Sequence, residues 1–158
     1  MEINNNHIRK YPIGIQSFEN LRREGYLYVD KTALIYRLIT TGKPYFLSRP
    51  RRFGKSLLLS TLKAYFEGKK ELFEGLAIEK LEKQWAVHPV LHLDLNAEKY
   101  DSVERLEMQM NSQLLNWESQ YGCDAKDWTY SIRFMNVIKA AYEQTGQQVV
   151  VLIDEYDK

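Results

Sequence analysis

An α/β fold with a mostly parallel sheet flanked by helices is what this sequence predicts, and three observations carry the expectation. Strand-like and helix-like segments alternate along the chain, the order produced when parallel strands are joined by helical crossovers. The run Val149-Val150-Val151-Leu152-Ile153 is unbroken by polar residues, as suits a strand buried on both faces of a parallel sheet. Glycines stand at the ends of the helical segments, at Gly25, Gly42, Gly68, Gly122 and Gly146, where a left-handed stop is least strained.

Taken in order, residues 1–15 read as a lead-in and 16–158 as the body of one domain. Ser17 can cap a short helix reaching Glu24. Tyr26 to Val29 is aromatic and β-branched, a short strand. Asp30 caps a second helix, Lys31 to Thr40, with Leu34, Ile35, Leu38 and Ile39 on one side. Tyr45 to Leu47 forms the next strand, and Lys55 to Glu67 the next helix. Leu72 to Leu81 is helical but interrupted at Gly75, and Pro89 introduces a core strand from Val90 to Leu95. A long helix follows Asp101, with Val103, Leu106, Met110, Leu114, Trp117 and Tyr121 at steps of three and four. A last helix, Ser131 to Thr145, is expected to bury Ile132, Met135, Val137, Ile138 and either Ala141 or Tyr142 before the final strand.

Composition narrows the class. The 158 residues are 44% hydrophobic and 27% charged, the balance of a globular domain with a real core. A formal net charge of +1 gives no global basicity for nucleic acid or an anionic membrane. No apolar run approaches the roughly 20 residues of a membrane span, and residues 1–10 lack a signal-peptide core. Cys123 is the only cysteine, so no internal disulfide forms and a cytoplasmic setting is expected.

The chemistry concentrates in Pro44-Tyr-Phe-Leu-Ser-Arg-Pro-Arg-Arg-Phe-Gly-Lys-Ser-Leu57. A strand, a polar turn and Gly54-Lys55-Ser56 opening a helix form the working half of a phosphate-binding P-loop, the Walker A motif. Backbone N–H groups of Arg52, Phe53, Gly54, Lys55, Ser56 and Leu57 would bind phosphate, helped by the positive end of the helix. Lys55 would reach the β- and γ-phosphates, and the Ser56 hydroxyl would ligate Mg²⁺. The spacing departs from the usual one, because Arg49 stands where the first glycine belongs and Pro50 removes one N–H donor.

At the other end, the final strand runs into Asp154-Glu155, the tip where open α/β sheets bind ligands. That pair reads as a Walker B motif. Asp154 would hold Mg²⁺ and Glu155 would polarise an attacking water. Two half-motifs in the right order point to a nucleotide, against a buried strand that merely ends in an acidic turn.

Other residues carry less. Arg51 and Arg52 fit a γ-phosphate contact, an acidic partner or a solvated loop. Asp94 suits a turn cap better than the metal shell. His88 and His92 lie four apart, but Pro89 puts them on a strand without a third ligand. Trp85, Trp117 and Trp128 are expected to pack, and Cys123 has no base partner.

Tyr26-Leu-Tyr-Val-Asp-Lys-Thr32, Phe46-Leu-Ser-Arg-Pro-Arg-Arg-Phe-Gly-Lys-Ser-Leu57, Leu62-Lys-Ala-Tyr-Phe-Glu67, His92-Leu-Asp94 and Ile153-Asp-Glu-Tyr-Asp157 resemble the bacterial AAA-ATPase-like family over residues 11–158. The Arg-Pro-Arg-Arg-Phe-Gly-Lys-Ser loop is similar to that family's own variant, so Arg49 matches the pattern. The resemblance implies a P-loop NTPase that binds ATP with Mg²⁺ and hydrolyses it, with Lys55 and Glu155 catalytic and Ser56 and Asp154 on the metal. A nucleotide-sensing or partner-binding module without turnover is the alternative. The family commonly continues into a PD-(D/E)XK nuclease-like domain, the only route to nucleic acid. It also implies a later strand between those bearing Lys55 and Asp154. The expectation is therefore a domain truncated after the Walker B strand: a piece of a longer protein, or one whose sheet a protein partner or self-association completes.

Overall fold

The computed structural model describes residues 10–42, 44–48, 50, 52–95, 103–124 and 128–154. The chain divides into two compact units, Met1–Tyr65 with Lys69–Trp85 and Phe66–Gly68 with Ala86–Lys158. Each has its own apolar core.

The first unit is helical. Helix α1 (Phe18–Arg23) starts at Ser17, whose extended backbone lets its hydroxyl accept the Asn20 N–H at 3.2 Å. Helix α2 spans Thr32–Thr40, α3 Lys55–Phe66 and α4 Ala77–Leu81, with a 3-10 turn at Lys70–Phe73. Gly75 has φ +76° between that turn and α4, which is the expected interruption. One carboxylate serves two helix starts. Asp30 accepts the Thr32 N–H at 2.8 Å and the Thr32 hydroxyl at 2.6 Å, and its second oxygen accepts the Ala77 N–H at 2.7 Å. The Thr32 hydroxyl oxygen in turn accepts the buried Ile78 N–H at 3.1 Å. These bonds satisfy N–H groups that the first turns of α2 and α4 cannot satisfy themselves. Phe18, Phe73, Leu72, Leu76, Ile78 and Ala64 form the core, with Phe18 and Phe73 rings 4.9 Å apart.

Two expected strands of this unit do not form ladders. Between Tyr26 and Val29 there is one isolated bridge, Lys10 to Tyr26, closed by the Leu27 N–H on the Lys10 carbonyl at 2.8 Å. Tyr45 to Leu47 pairs with no described strand and is exposed, with Tyr45 at 53% and Phe46 at 72%. Aromatic and branched composition favours extended backbone, but a strand exists only where an edge accepts its hydrogen bonds. Leu34 is likewise exposed, whereas Ile35 is buried and Ile39 packs against the core, as expected.

Among the described residues the second unit holds a two-stranded parallel sheet and two helices: β1 (Val90–Asp94), α5 (Val103–Tyr121), α6 (Tyr130–Thr145) and β2 (Val150–Asp154). The register runs from Val90 beside Val150 to Asp94 beside Asp154. The Val150 N–H on the Pro89 carbonyl (2.9 Å) and the Leu95 N–H on the Asp154 carbonyl (3.2 Å) extend the pairing at both ends. Leu91 packs with Leu114, Trp117, Tyr121, Val137 and Ala141. Gly146 takes φ +65° at the end of α6 and returns its N–H to Tyr142.

Apolar patterning misjudged several faces here. Ile132 and Met135 of α6 and Val103 of α5 are exposed, whereas Arg133 is buried; of the pair Ala141 and Tyr142, Ala141 is the buried one. Arg133 is drawn in by Glu118 of α5, a pairing that apolar periodicity does not register. Val151 and Ile153 are also exposed, so β2 is not covered on both faces. Trp117 is buried as expected, and Trp128 is exposed.

Candidate functional site

The segment Arg52 to Leu57 lies in the first unit, where a turn of unusual backbone leads into α3. Arg52 has φ +67° and Gly54 φ +75°, so two left-handed residues flank Phe53. A Cβ on Gly54 would meet nothing within 4 Å. Glycine is therefore favoured there by backbone conformation and not by crowding. Arg52 has no such freedom, and a non-glycine held left-handed is a local strain of the type that collects at functional loops.

The first bond of α3 runs from the Leu58 N–H to the Gly54 carbonyl at 3.0 Å. The N–H groups of Lys55, Ser56 and Leu57 precede that ladder and emerge at the positive end of a three-turn helix. Arg52, Phe53 and Gly54 are exposed, while Lys55, Ser56 and Leu57 are half-buried. Behind this opening the helix is fastened. Leu57 packs on the unit's core, and the fully buried Thr61 returns its hydroxyl to the Leu57 carbonyl at 2.8 Å. An ammonium, a hydroxyl and a set of helix-terminal N–H groups together can hold an oxyanion and present it to a cation.

Asp154 lies in the second unit, at the C-terminal tip of β2. Its carboxylate is 6% exposed, and the register sets it beside Asp94 on β1. Like charges on directly neighbouring strands are unfavourable unless cations or hydrogen-bond donors offset them, and oxygen ligands are what Mg²⁺ prefers. The Asp94 carbonyl also accepts the Gln109 side-chain amide at 2.7 Å, which ties the strand end to α5. Glu155 and Asp157, with Arg49 and Arg51 of the loop, lie outside the described residues.

His92 is on β1 as expected, and His88 precedes it with Nδ1 3.0 Å from the Gln148 carbonyl. Among the described residues no three His, Cys, Asp or Glu side chains gather as a metal cluster. Burial pushes the Cys123 thiol up, with the Glu118 and Asp124 charges adding to it, so it is a poor nucleophile. No described helix is long and apolar enough to cross a membrane.

Sequence reasoning missed the left-handed Arg52, since nothing in Arg-Pro-Arg-Arg signals positive φ. It also missed the second task of Asp30, which was expected to cap only α2. The Tyr-Val-Asp-Lys-Thr run carried the residues, but their reach to Ala77 and Ile78 needs the tertiary fold.

A protein of Azotobacter chroococcum mcd 1, described as "Uncharacterized protein in vnfD 5'region", is 41% identical over 151 residues, covering 95% of this chain. The chain spans 29% of that relative's length. No solved structure matches the chain. A family model described as "Predicted AAA-ATPase" matches residues 12–158.

Proposed function

The chain belongs to the AAA-ATPase-like family, and from that premise we propose that it binds ATP with Mg²⁺ and contributes to ATP hydrolysis through a P-loop NTPase site. The observation that carries this reading is the start of α3, where Gly54-Lys55-Ser56 follows a left-handed turn and leaves helix-terminal N–H groups ahead of the ladder. The residues suit the ligand chemically. Lys55 and the N–H groups of Arg52, Phe53, Gly54, Ser56 and Leu57 match a polyphosphate, and Ser56 and Asp154 supply the hard oxygen donors that Mg²⁺ takes.

In this reading, the α3 terminus fixes the phosphate chain and Lys55 neutralises charge on its terminal group. Bound Mg²⁺ would screen the phosphate oxygens and stabilise developing charge on the leaving group. Glu155 accepts a proton from water as general base. The acting residues fall within 16–158, preceded by a short lead-in. Any nucleic-acid contact is assigned to polypeptide outside this chain, and neither helix content nor charge supports a membrane role.

Wild-type protein should gain thermal stability from ATP and Mg²⁺, about 2.7 kcal/mol when ligand stands at a hundred times its dissociation constant. Lys55→Ala should abolish that gain, and unchanged ATP affinity in the variant would remove the reading. Turnover is a separate question. Phosphate release that disappears in Glu155→Gln supports hydrolysis, whereas binding without release supports a nucleotide-sensing module.

A further inference from the structure

We propose that Ser60 is a positioning residue for the phosphate site, holding α3 so that the N–H groups at its start face the ligand; the inference rests on the nucleotide-binding reading above. The observation is a hydrogen bond across 42 residues of sequence. The Phe18 N–H donates to the Ser60 hydroxyl oxygen at 2.7 Å.

That N–H belongs to the first residue of α1, one of the groups a helix cannot satisfy from within. The cap residue Ser17 directs its hydroxyl to the Asn20 N–H instead. Phe18 itself is fully buried, with its ring 4.9 Å from Phe73 and 5.2 Å from Tyr28. Its main chain therefore cannot follow a displaced partner without disturbing the centre of the first unit. Ser60 converts this rigid point into a fixed setting for α3.

The lever is short. Ser60 follows Ser56 by one turn, so about 6 Å of helix separates the tie from the phosphate-binding end. Thr61, the next residue, faces the interior, returns its hydroxyl to the Leu57 carbonyl and is hydrogen-bonded to Tyr28. Ser60 reaches the first residue of α1, and this tie lies closer to the phosphate-binding end than the bond from the Tyr65 hydroxyl to Glu82. A rotation or slide of α3 would keep its internal ladder intact and still misdirect the Lys55, Ser56 and Leu57 N–H groups. Anion binding at a helix start depends on that direction.

The test compares equilibrium binding of a fluorescent ATP analogue with Mg²⁺ in wild type, Ser60→Ala, Ser60→Thr and Leu72→Ala, well below every melting temperature. Leu72 lies in the same core but supplies neither the donor nor the acceptor of the tie, so its variant reports what loss of stability alone does to binding. Ser60→Ala should bind about tenfold more weakly, the scale of one misdirected hydrogen bond to a charged phosphate oxygen. Ser60→Thr, which keeps the acceptor oxygen, should stay within about twofold, and Leu72→Ala should bind like wild type despite a lower melting temperature. Wild-type affinity in Ser60→Ala, or equal losses in Ser60→Ala and Leu72→Ala, would overturn the positioning role. Absence of binding in wild type would instead remove the nucleotide reading and this inference with it.

Discussion

The Arg133 guanidinium grips Glu118 with two hydrogen bonds of 2.7 Å, one to each carboxylate oxygen, joining α6 to α5. Both side chains are more than nine-tenths buried, and a third bond of 2.6 Å reaches Asn111. This is a planar, bidentate pairing in which nearly every guanidinium donor facing α5 is used.

Removing one partner leaves the other charge buried without compensation. Arg133→Met or Glu118→Leu should therefore destabilise the protein by about 3–5 kcal/mol. The double variant Arg133→Met/Glu118→Leu should cost clearly less than the two single losses added together. Urea denaturation across the four proteins measures that coupling, and additive losses would show that the pair acts independently.

Asp30 gives stability a pH dependence of predictable sign. Burial pushes its carboxyl up, but hydrogen bonds from the Thr32 side chain and the Thr32 and Ala77 main chain outweigh it and leave it below its ordinary value. A group depressed in the folded state contributes stability above its unfolded value, about 3.9, and loses it as pH falls through the folded value. Glu19, held down by Lys69 and Arg23, adds to the same acid limb. Asparagine at position 30 could accept from one helix start while turning an N–H donor towards the other. Asp30→Asn should thus cost about 1–2 kcal/mol at pH 7. The difference from wild type should narrow below about pH 4, as measured by urea midpoints from pH 7 to pH 2.5.

Arg52 separates stability from function. Its left-handed backbone costs a non-glycine residue about 1 kcal/mol, so Arg52→Gly should raise the urea midpoint or leave it unchanged. The same change removes a cation from the turn before α3, and nucleotide affinity should fall. Parallel melting and ATP-binding measurements check both signs, and a destabilised Arg52→Gly would contradict the strain argument.

Helix ends were legible because their chemistry is local. Ser17 before α1 and the left-handed glycines at 25, 68 and 146 mark boundaries through backbone conformation that neighbouring residues alone dictate. The strands divide differently. Val90–Asp94 was readable after Pro89 and Val150–Asp154 from its β-branched run, whereas the apolar Tyr45 to Leu47 has no ladder, because pairing depends on a distant partner. On α6 the apolar Ile132 and Met135 face solvent on either side of buried Arg133, since a bidentate ion pair outweighs apolar patterning at that turn. At the candidate site, Gly54-Lys55-Ser56 could be read directly. The tie from Ser60 to Phe18 could not, because a serine inside a helix gives no sign of what it meets.

The sheet of the second unit offers a matched pair of positions for the last prediction. Leu91 and Val151 are neighbours in the parallel register and so share a face, yet Leu91 is fully buried while Val151 is 39% exposed. The difference follows from where the helices lie, since Leu91 meets Leu114, Trp117, Val137 and Ala141 and Val151 does not belong to that cluster. Truncating Leu91 removes apolar contacts and leaves a cavity between well-packed helices. Leu91→Ala should cost about 2–5 kcal/mol. Val151→Thr keeps the β-branched shape on a surface that water already reaches and should cost less than about 1 kcal/mol. Denaturant midpoints of the two variants test this directly. A large loss in Val151→Thr would mean that the exposed face of β2 is covered in solution.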